Sequence, residues 1–188
     1  DDAQIYVEMG LMAVRQGDKG KALQHYQDAL RIDPQSPFAH MNLGSLLAEQ
    51  RNYAEAIGHY LAAINIRPEW SELQANLGLV YAEAGDLDKA LLHYDKALRQ
   101  EPNNADLYYN RAMALAMHGR LEQSIDSFNK SLSLRPNFAE GHYNLGIALI
   151  KTGRTEAAVR HFTEALRINP QLDDARNALN RIMAGEKS

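Results

Sequence analysis

Large apolar, small and aromatic residues recur along this chain in one fixed order, and that order repeats every 34 residues. A fixed period of about 20–50 residues is the signature of a repeat architecture, and a period of 34 is typical of a helix–turn–helix unit. The clearest marker is a proline near the end of each period: Pro34, Pro68, Pro102, Pro136 and Pro170. The pattern therefore predicts an all-α protein in which each helical hairpin packs on its neighbours.

Placing each proline at position 32 of a unit divides the chain into five repeats, 3–36, 37–70, 71–104, 105–138 and 139–172. Repeat position 7 is mostly large and apolar: Met9, Leu43, Leu77, Arg111 and Leu145. Position 8 is small: Gly10, Gly44, Gly78, Ala112 and Gly146. Positions 20 and 27 hold alanine in every repeat except the fourth, which has Ser124 and Ser131. Position 24 is aromatic: Tyr26, Tyr60, Tyr94, Phe128 and Phe162. Small residues let two helices approach closely, and the aromatic ring fills the space between them.

Turn and capping residues predict where the helices end and begin. A glycine at position 15 is typical of the residue that follows a helix in the left-handed conformation: Gly17, Gly85, Gly119 and Gly153. The second repeat has Arg51 and Asn52 there, so we expect its turn to differ. The expected N-caps are Asp18, Ser36, Asp86 and Asn104. These signals predict ten helices in five antiparallel hairpins.

A further helix is predicted after the fifth repeat, over 173–184. Its apolar residues recur at helical spacing: Ala175, Ala178, Leu179, Ile182 and Met183. We expect this helix to cap the apolar end of the stack, as terminal elements of repeat proteins do.

The order of these positions resembles the tetratricopeptide repeat (TPR) family over nearly the whole chain. The resemblance implies a right-handed α-solenoid of five repeats, with the first helix of each repeat lining a concave groove. The chain departs from the family pattern at position 4, often tryptophan, which is Tyr6, His40, Gln74, Tyr108 and His142. Because Arg111, Ser124 and Ser131 replace apolar or small residues, we expect the fourth repeat to pack least tightly.

Composition narrows the classes of function. The 188 residues include no cysteine, which excludes disulfides and thiolate metal sites, and the net charge of −4 disfavours nucleic acid as a partner. No apolar run reaches the roughly 18–20 residues of a membrane span, and no signal peptide is visible. The compartment stays open, with the cytoplasm slightly favoured. Because the chain starts at Asp1 and enters a repeat at once, we expect it to be a segment of a longer protein.

Candidate chemistry is sparse. Histidines recur at position 23, as His25, His59, His93 and His161, and we expect them to form half-exposed helix surface. Equivalent positions on adjacent hairpins lie about 8–10 Å apart, too far for joint zinc ligation. His40 and His142 occupy position 4, where packing is the expected role. Catalytic and phosphate-binding motifs are absent, so we predict no enzymatic activity, no metal site and no cofactor.

Asparagine recurs at position 6 in four repeats: Asn42, Asn76, Asn110 and Asn144, with Glu8 in the first. A side-chain amide both donates and accepts hydrogen bonds, so a row of amides would hold the backbone of an extended peptide in either direction. The four positions resemble the asparagine ladder of O-linked N-acetylglucosamine transferases, where it holds substrate polypeptide. The alternative is that these asparagines bond a neighbouring helix. Both interpretations stay open from the sequence.

The remaining groove positions predict an apolar, adaptable surface with an acidic edge. We expect Met41, Tyr109, Tyr143 and Met113 to contact the side chains of a bound peptide. The acidic residues are Glu49, Glu72, Glu83, Asp106 and Glu140, although some would only complement helix dipoles. Acids facing the groove would suit a ligand with Lys or Arg beside apolar residues. The family's basic clamp for a terminal carboxylate is not expected, because position 2 lacks Lys and Arg.

Three hypotheses of function follow. The leading one is a protein–protein interaction module that binds an extended peptide in its concave groove. The second is the substrate-recruiting arm of a larger glycosyltransferase or other modifying enzyme. The third is a structural scaffold that associates with itself through its repeat ends.

Overall fold

The computed structural model describes residues 2–185, and within them the chain folds into helices alone. Their bounds are α1 Asp2–Arg15, α2 Lys19–Ile32, α3 Pro37–Glu49, α4 Tyr53–Ile66, α5 Ser71–Glu83, α6 Leu87–Gln100, α7 Ala105–Met117, α8 Leu121–Leu134, α9 Ala139–Lys151, α10 Thr155–Ile168 and α11 Asp173–Met183. Helices α1 to α10 form five helix–turn–helix hairpins, and α11 follows the last. The predicted fold class, five helical repeats with a C-terminal helix, is confirmed.

The helices begin where capping chemistry predicts. The Asp18 carboxylate accepts a hydrogen bond from the Lys21 backbone N–H at 3.0 Å. Ser36 and Asn104 likewise accept from the first turns of α3 and α7, and Pro37 occupies the first position of α3, where its missing N–H is no loss. These side chains satisfy donors that have no partner inside the helix.

The turn inside each hairpin needs a left-handed residue. The predicted glycines supply it, with φ of +77° at Gly17, +90° at Gly85, +74° at Gly119 and +77° at Gly153. Arg51 adopts φ of +60° at the same repeat position. The expectation that the second repeat turns differently is therefore wrong, because Arg51 takes up the glycine conformation in spite of its side chain.

Contact between the two helices of a hairpin centres on repeat positions 8 and 24. A Cβ placed on Gly10 would lie 2.3 Å from Cε1 of Tyr26, and one on Gly146 would lie 2.5 Å from Cε1 of Phe162. The missing side chain is thus the space that the aromatic ring occupies. This packing explains why position 8 is small and position 24 is aromatic in every repeat.

The chain divides into two compact units, residues 1–100 and residues 101–188. The first unit contains α1 to α6, and its core includes Tyr26, Leu43, Tyr60 and Leu77. The second unit contains α7 to α11, with a core that includes Phe128, Leu145 and Phe162. Ala175 of α11 is fully buried in this second core, with Leu179 and Ile182 beside it, so α11 covers α10 as expected of a capping helix.

Two buried serines tie the fourth hairpin together. Ser124 and Ser131 on α8 are fully buried, and their hydroxyls donate to the Ala112 and Ala105 carbonyl oxygens of α7, each at 2.8 Å. Arg111 of α7 donates to the Ser127 hydroxyl, also at 2.8 Å. The structure therefore does not show the loose packing expected of this hairpin, since the polar substitutions bond to each other or to backbone.

Candidate functional site

The predicted groove residues lie on the first helices of repeats two to five. All eight are half-buried: Met41 and Asn42 on α3, Asn76 on α5, Tyr109, Asn110 and Met113 on α7, and Tyr143 and Asn144 on α9. The first unit therefore presents Asn42 and Asn76, and the second unit presents Asn110 and Asn144. Half-burial leaves the amides and rings accessible to a ligand while the helices fix their positions.

Asn144 is bonded to a neighbouring helix. Its side-chain N–H₂ donates to the Tyr109 hydroxyl of α7 at 2.8 Å. The Tyr109 ring packs edge-on against Phe138 at 4.9 Å between centroids and against Phe128 at 5.8 Å. Burial raises the pKa of the Tyr109 phenol, and the hydrogen bond from Asn144 acts in the opposite direction. At this position the asparagine bonds a neighbouring helix, which is the structural alternative, and its side-chain oxygen keeps the capacity to accept a further hydrogen bond.

The other three asparagines differ from Asn144. Within residues 2–185, the side-chain amides of Asn42, Asn76 and Asn110 make no hydrogen bond to protein. Each amide carries two donors and an acceptor that protein groups leave for solvent or a ligand. Recurrence at one repeat position therefore does not come from a shared structural bond.

A pocket of about 360 Å³ opens beside Asn76 in the first unit. It lies between α3 and α5, and the groups that line it include Ser45, Glu49, Tyr60, Asn76 and Glu83. Tyr60 belongs to the core, with 2% of its surface exposed, so it presents little surface to the pocket. The lining also includes Ala48, Leu79, Val80 and Arg51, so the wall combines apolar groups with two carboxylates and one cation.

Three carboxylates lie close enough to the Tyr60 phenol to affect its pKa. The pKa of Tyr60 is raised to about 12, chiefly by burial, with the Glu72, Glu49 and Glu83 carboxylates adding to the rise and a hydrogen bond from Ser45 opposing it. Glu49 also pairs with Lys19 at 2.9 Å, although both side chains are more than half exposed. An ion pair at such exposure contributes only about 0–1 kcal/mol, so a ligand cation can compete with Lys19 for the carboxylate.

An equivalent pocket of about 180 Å³ opens beside Asn144 in the second unit. Its lining uses the same repeat positions but different chemistry: Met113, Met117, Phe128, Ile147 and Lys151. In the first-unit pocket the corresponding residues are Ser45, Glu49, Tyr60, Leu79 and Glu83. The two pockets thus share an asparagine and a cation, but only the first-unit pocket contains carboxylates, which outnumber its cation by two to one.

The two pockets bring together only some of the predicted site residues. Asn76 lines the first-unit pocket, whereas Met113 and Asn144 line the second-unit pocket. Met41 packs against the first core, and Tyr143 packs against Phe162 with centroids 5.9 Å apart. These two side chains line neither pocket.

Sequence reasoning missed one lining position. Residues at position 24 were assigned to the core alone, yet Tyr60 and Phe128 each form the floor of a pocket. Residue type at this position gave no signal of that role, because Tyr60 has a hydroxyl and Phe128 has none, yet both line a pocket.

The histidines also occupy positions that the sequence did not predict. Position 4 faces position 23 within each hairpin, so His40 meets His59 and His142 meets His161. In the third repeat, the Nδ1–H of His93 donates to Oε1 of Gln74 at 2.8 Å, and His93 is only 7% exposed. The expectation of half-exposed helix surface is therefore wrong for His93. Across residues 2–185, no group of three or more His, Cys, Asp or Glu side chains is arranged to hold a metal ion.

Among the helices in the described part of the chain, none has both the length and the apolar character that crossing a bilayer requires.

Comparison with solved structures shows the fold. The chain is similar to MamA from Desulfovibrio magneticus RS-1, with a TM-score of 0.82 and 22% identity over 92% of this chain and 98% of that one. It is also similar to YrrB, described as a TPR protein with an unusual peptide-binding site. The TM-score is 0.73, and the identity is 23% over 92% of this chain and 89% of that one. It is also similar to a MamA structure designated AMB-1, with a TM-score of 0.69 and 24% identity over 90% of this chain and 100% of that one.

Sequence comparisons point the same way. No curated protein sequence matches the chain significantly. Family models described as tetratricopeptide repeat match residues 7–69 and 139–172, and a model described as TPR repeat matches residues 78–119 and 114–153. Together these matches extend over most of the chain and coincide with the five hairpins. The chain therefore belongs to the tetratricopeptide repeat family.

Proposed function

We propose that this protein is an interaction module that binds an extended peptide segment along the first helices of its repeats. The observation that carries the proposal is the set of half-buried asparagine amides at one repeat position. Three of them have no hydrogen-bonding partner among residues 2–185. Asn76 and Asn144 each also stand beside a pocket. Non-enzymatic interaction is the general role that membership of the family supports.

The amides would bind the peptide backbone. A peptide group offers one N–H and one C=O, and an asparagine side chain pairs with either. Such bonds do not depend on the peptide's side chains, so they would supply affinity for many sequences in an extended conformation. Asn42 and Asn76 would hold a peptide segment on the first unit in this way, and Asn110 and Asn144 would hold one on the second.

The pockets would select side chains. In the first-unit pocket the Glu49 and Glu83 carboxylates outnumber the Arg51 cation, which suits a Lys or Arg side chain of the ligand. The second-unit pocket, with Met113, Met117 and Phe128, suits an apolar side chain, and the methionines adapt to different shapes. The peptide-binding site ascribed to YrrB gives the same general function to a protein of similar fold.

A random-peptide display library tests the proposal. The parent chain is compared with a variant in which Asn42, Asn76, Asn110 and Asn144 are changed to alanine. A matched control carries four alanine substitutions at exposed asparagines away from the pockets: Asn103, Asn129, Asn177 and Asn180. We expect the parent and the control to enrich peptides and the groove variant to lose them. Equal enrichment by the parent, the control and the groove variant would contradict backbone binding by the four asparagines. No enrichment by any of the three proteins would contradict peptide binding itself.

Single substitutions measure how much each of the four asparagines contributes to the affinity for a peptide. Each Asn→Ala change should weaken binding of an enriched peptide by about 0.5–1.5 kcal/mol, the usual net value of a neutral hydrogen bond. Asn144→Ala also removes the bond to Tyr109, so its effect on the free energy of unfolding is measured alongside. Unchanged affinity in all four single variants would contradict the proposal.

The face of α1 supports a second candidate, self-association. Ile5, Met9 and Met12 lie on one face and are 54%, 41% and 55% exposed. At the same repeat positions in α3, Ala39, Leu43 and Leu46 are at most 3% exposed, because the preceding hairpin covers them. A second copy of the chain would remove this apolar surface from water.

Light scattering tests the second candidate. We expect the mass to rise with concentration, and a Met9→Lys, Met12→Lys variant to remain monomeric. A parent mass that stays monomeric throughout would contradict self-association. Recruitment of substrates for a larger modifying enzyme stays a prediction from the asparagine resemblance alone.

A further inference from the structure

Two histidine pairs of the same geometry lie in the second and fifth hairpins. Nδ1 of His40 on α3 lies 2.9 Å from Nδ1 of His59 on α4. Nδ1 of His142 on α9 lies 3.0 Å from Nδ1 of His161 on α10. One pair belongs to each compact unit, so the arrangement is built twice, independently.

A backbone carbonyl fixes the outer ring of each pair. Nε2 of His40 lies 3.1 Å from the Pro34 carbonyl oxygen, and Nε2 of His142 lies 3.0 Å from the Pro136 carbonyl oxygen. A carbonyl oxygen only accepts, so Nε2 carries the hydrogen and Nδ1 of the same ring carries the lone pair. A carbonyl bonded to the far nitrogen is also the usual support of a histidine that ligates a metal, because it fixes the tautomer and the ring orientation.

The spacing of the paired nitrogens fits one type of metal geometry. Metal–nitrogen bonds of about 2.0–2.1 Å place two nitrogens 2.9–3.0 Å apart when the angle at the metal is about 90°. A tetrahedral ion would require about 3.3–3.4 Å. Right angles between nitrogen ligands are typical of tetragonal Cu²⁺ and Ni²⁺ sites.

We propose that the His40–His59 and His142–His161 pairs are two binding sites for a divalent ion of tetragonal preference, Cu²⁺ or Ni²⁺. Each pair supplies two nitrogen ligands in adjacent positions, and water completes the coordination of the half-buried site. In the free protein the inner ring donates its Nδ1 hydrogen to the outer ring. On binding, that hydrogen moves to Nε2 of His59 or His161, so both nitrogens facing the ion carry lone pairs and no net proton is released from neutral rings.

The charges around the two pairs differ. The Glu55 carboxylate lies four residues before His59 on α4, which places it on the same face of that helix. The corresponding carboxylate near His161 is Glu164, which is already paired with Arg167 at 2.8 Å, and the Arg160 cation lies nearby. The surroundings of the His40–His59 pair therefore favour a bound cation more than those of the His142–His161 pair do. We expect the His40–His59 pair to bind the metal more tightly.

The chain contains its own control for these sites. The third hairpin places Gln74 and His93 at the same two repeat positions, with the glutamine oxygen 2.8 Å from Nδ1 of the histidine. His40→Gln and His142→Gln therefore reproduce a pair that this fold already accommodates. Conversely, Gln74→His would complete a third pair.

The test counts bound ions by calorimetric titration of the full chain, without an affinity tag, with Cu²⁺ buffered by glycine. We expect two ions per parent chain, one for His40→Gln, none for the His40→Gln, His142→Gln variant and three for Gln74→His. Circular dichroism checks that each variant keeps its helices. Electron paramagnetic resonance should show coupling of Cu²⁺ to two imidazole nitrogens in the parent.

Two results would overturn the proposal. One is a parent that binds no more Cu²⁺ than the double variant, which would assign any binding to His25, His93, His118 or the backbone. The other is a folded Gln74→His variant with the same stoichiometry as the parent, which would show that the pairing geometry does not determine binding. Neither result bears on peptide binding, since the proposal does not rest on the groove.

Discussion

Arg51 shows how a single residue can depart from a repeat pattern without changing the fold. It holds φ of +60° at the position where four other hairpins use glycine. A left-handed conformation costs a residue with a Cβ about 1–2 kcal/mol. The sequence identified the position as a turn but not the conformation, because the hydrogen bonds that close the turn come from the neighbouring helices.

Replacing Arg51 by glycine is expected to stabilise the protein. Relief of the left-handed strain, less the greater freedom of glycine in the unfolded chain, leaves a gain of about 0.5–1 kcal/mol in the free energy of unfolding. Urea denaturation measures the change. Gly85→Ala, at the equivalent turn with φ of +90°, is the matched control and should lower the free energy. A loss of stability in Arg51→Gly would contradict this account of the turn.

The carboxylates of the first-unit pocket determine the expected preference for basic ligands. Glu49→Gln with Glu83→Gln keeps the shape of the pocket and removes two negative charges. We expect the variant to bind Lys- or Arg-containing peptides about tenfold more weakly, and to lose most of the dependence of affinity on salt. Fluorescence anisotropy at two ionic strengths measures both effects.

The control for that experiment changes two exposed carboxylates outside the pocket, Glu69→Gln and Glu156→Gln. It has the same net charge as the pocket variant, so an equal loss of affinity would assign the effect to overall charge. Glu49 and Glu83 were predicted as groove-edge acids from their repeat positions, but the sequence could not show that they meet Tyr60. That meeting depends on how two adjacent hairpins pack.

At the scale of the helix, contacts between the two helices of a hairpin include titratable groups. His93 on α6 bonds to Gln74 on α5 at 2.8 Å and stacks on Tyr81 with centroids 5.5 Å apart. Its pKa is lowered to about 4, chiefly by burial and also by the Lys96 cation. The recurrence of histidine at position 23 was visible in the sequence, whereas its partner at position 4 required knowledge of which helix faces meet.

This burial makes the third hairpin sensitive to acid. Because the pKa of His93 is about 4 in the folded protein and about 6.5 when unfolded, its contribution to stability is complete above pH 6.5 and is lost as the pH falls towards 4. Between pH 7 and pH 5 the loss should be about 2 kcal/mol in the free energy of unfolding. Urea denaturation of the parent and of His93→Gln measures it.

The difference between the two proteins isolates His93, since the pKa values of His59 and His161 are also lowered and contribute to both. His93→Gln keeps a donor for Gln74 and cannot titrate. An identical loss of stability in parent and variant between pH 7 and pH 5 would contradict the assignment.

At the scale of the whole molecule, the 34-residue period predicted the fold class, because the same packing positions recur in every hairpin. The division into units 1–100 and 101–188 was not predicted. The period runs through residue 100 without interruption, and Arg111, Ser124 and Ser131 were the only local departures in the hairpin that follows. The period predicts which positions pack within each hairpin. The grouping of hairpins into units depends on the contacts between hairpins, which the period does not predict.

In the proposed complex, asparagine amides hold the backbone of the bound peptide. The most direct measurement compares the affinity of a display-selected peptide with that of analogues methylated at single backbone nitrogens, against the parent and the Asn42, Asn76, Asn110, Asn144→Ala variant. Methylation removes one backbone donor and leaves the side chains unchanged. We predict that one or more analogues bind the parent about tenfold more weakly, about 1.4 kcal/mol, and show no further loss on the variant. Equal losses on both proteins, or no loss on the parent, would contradict the claim.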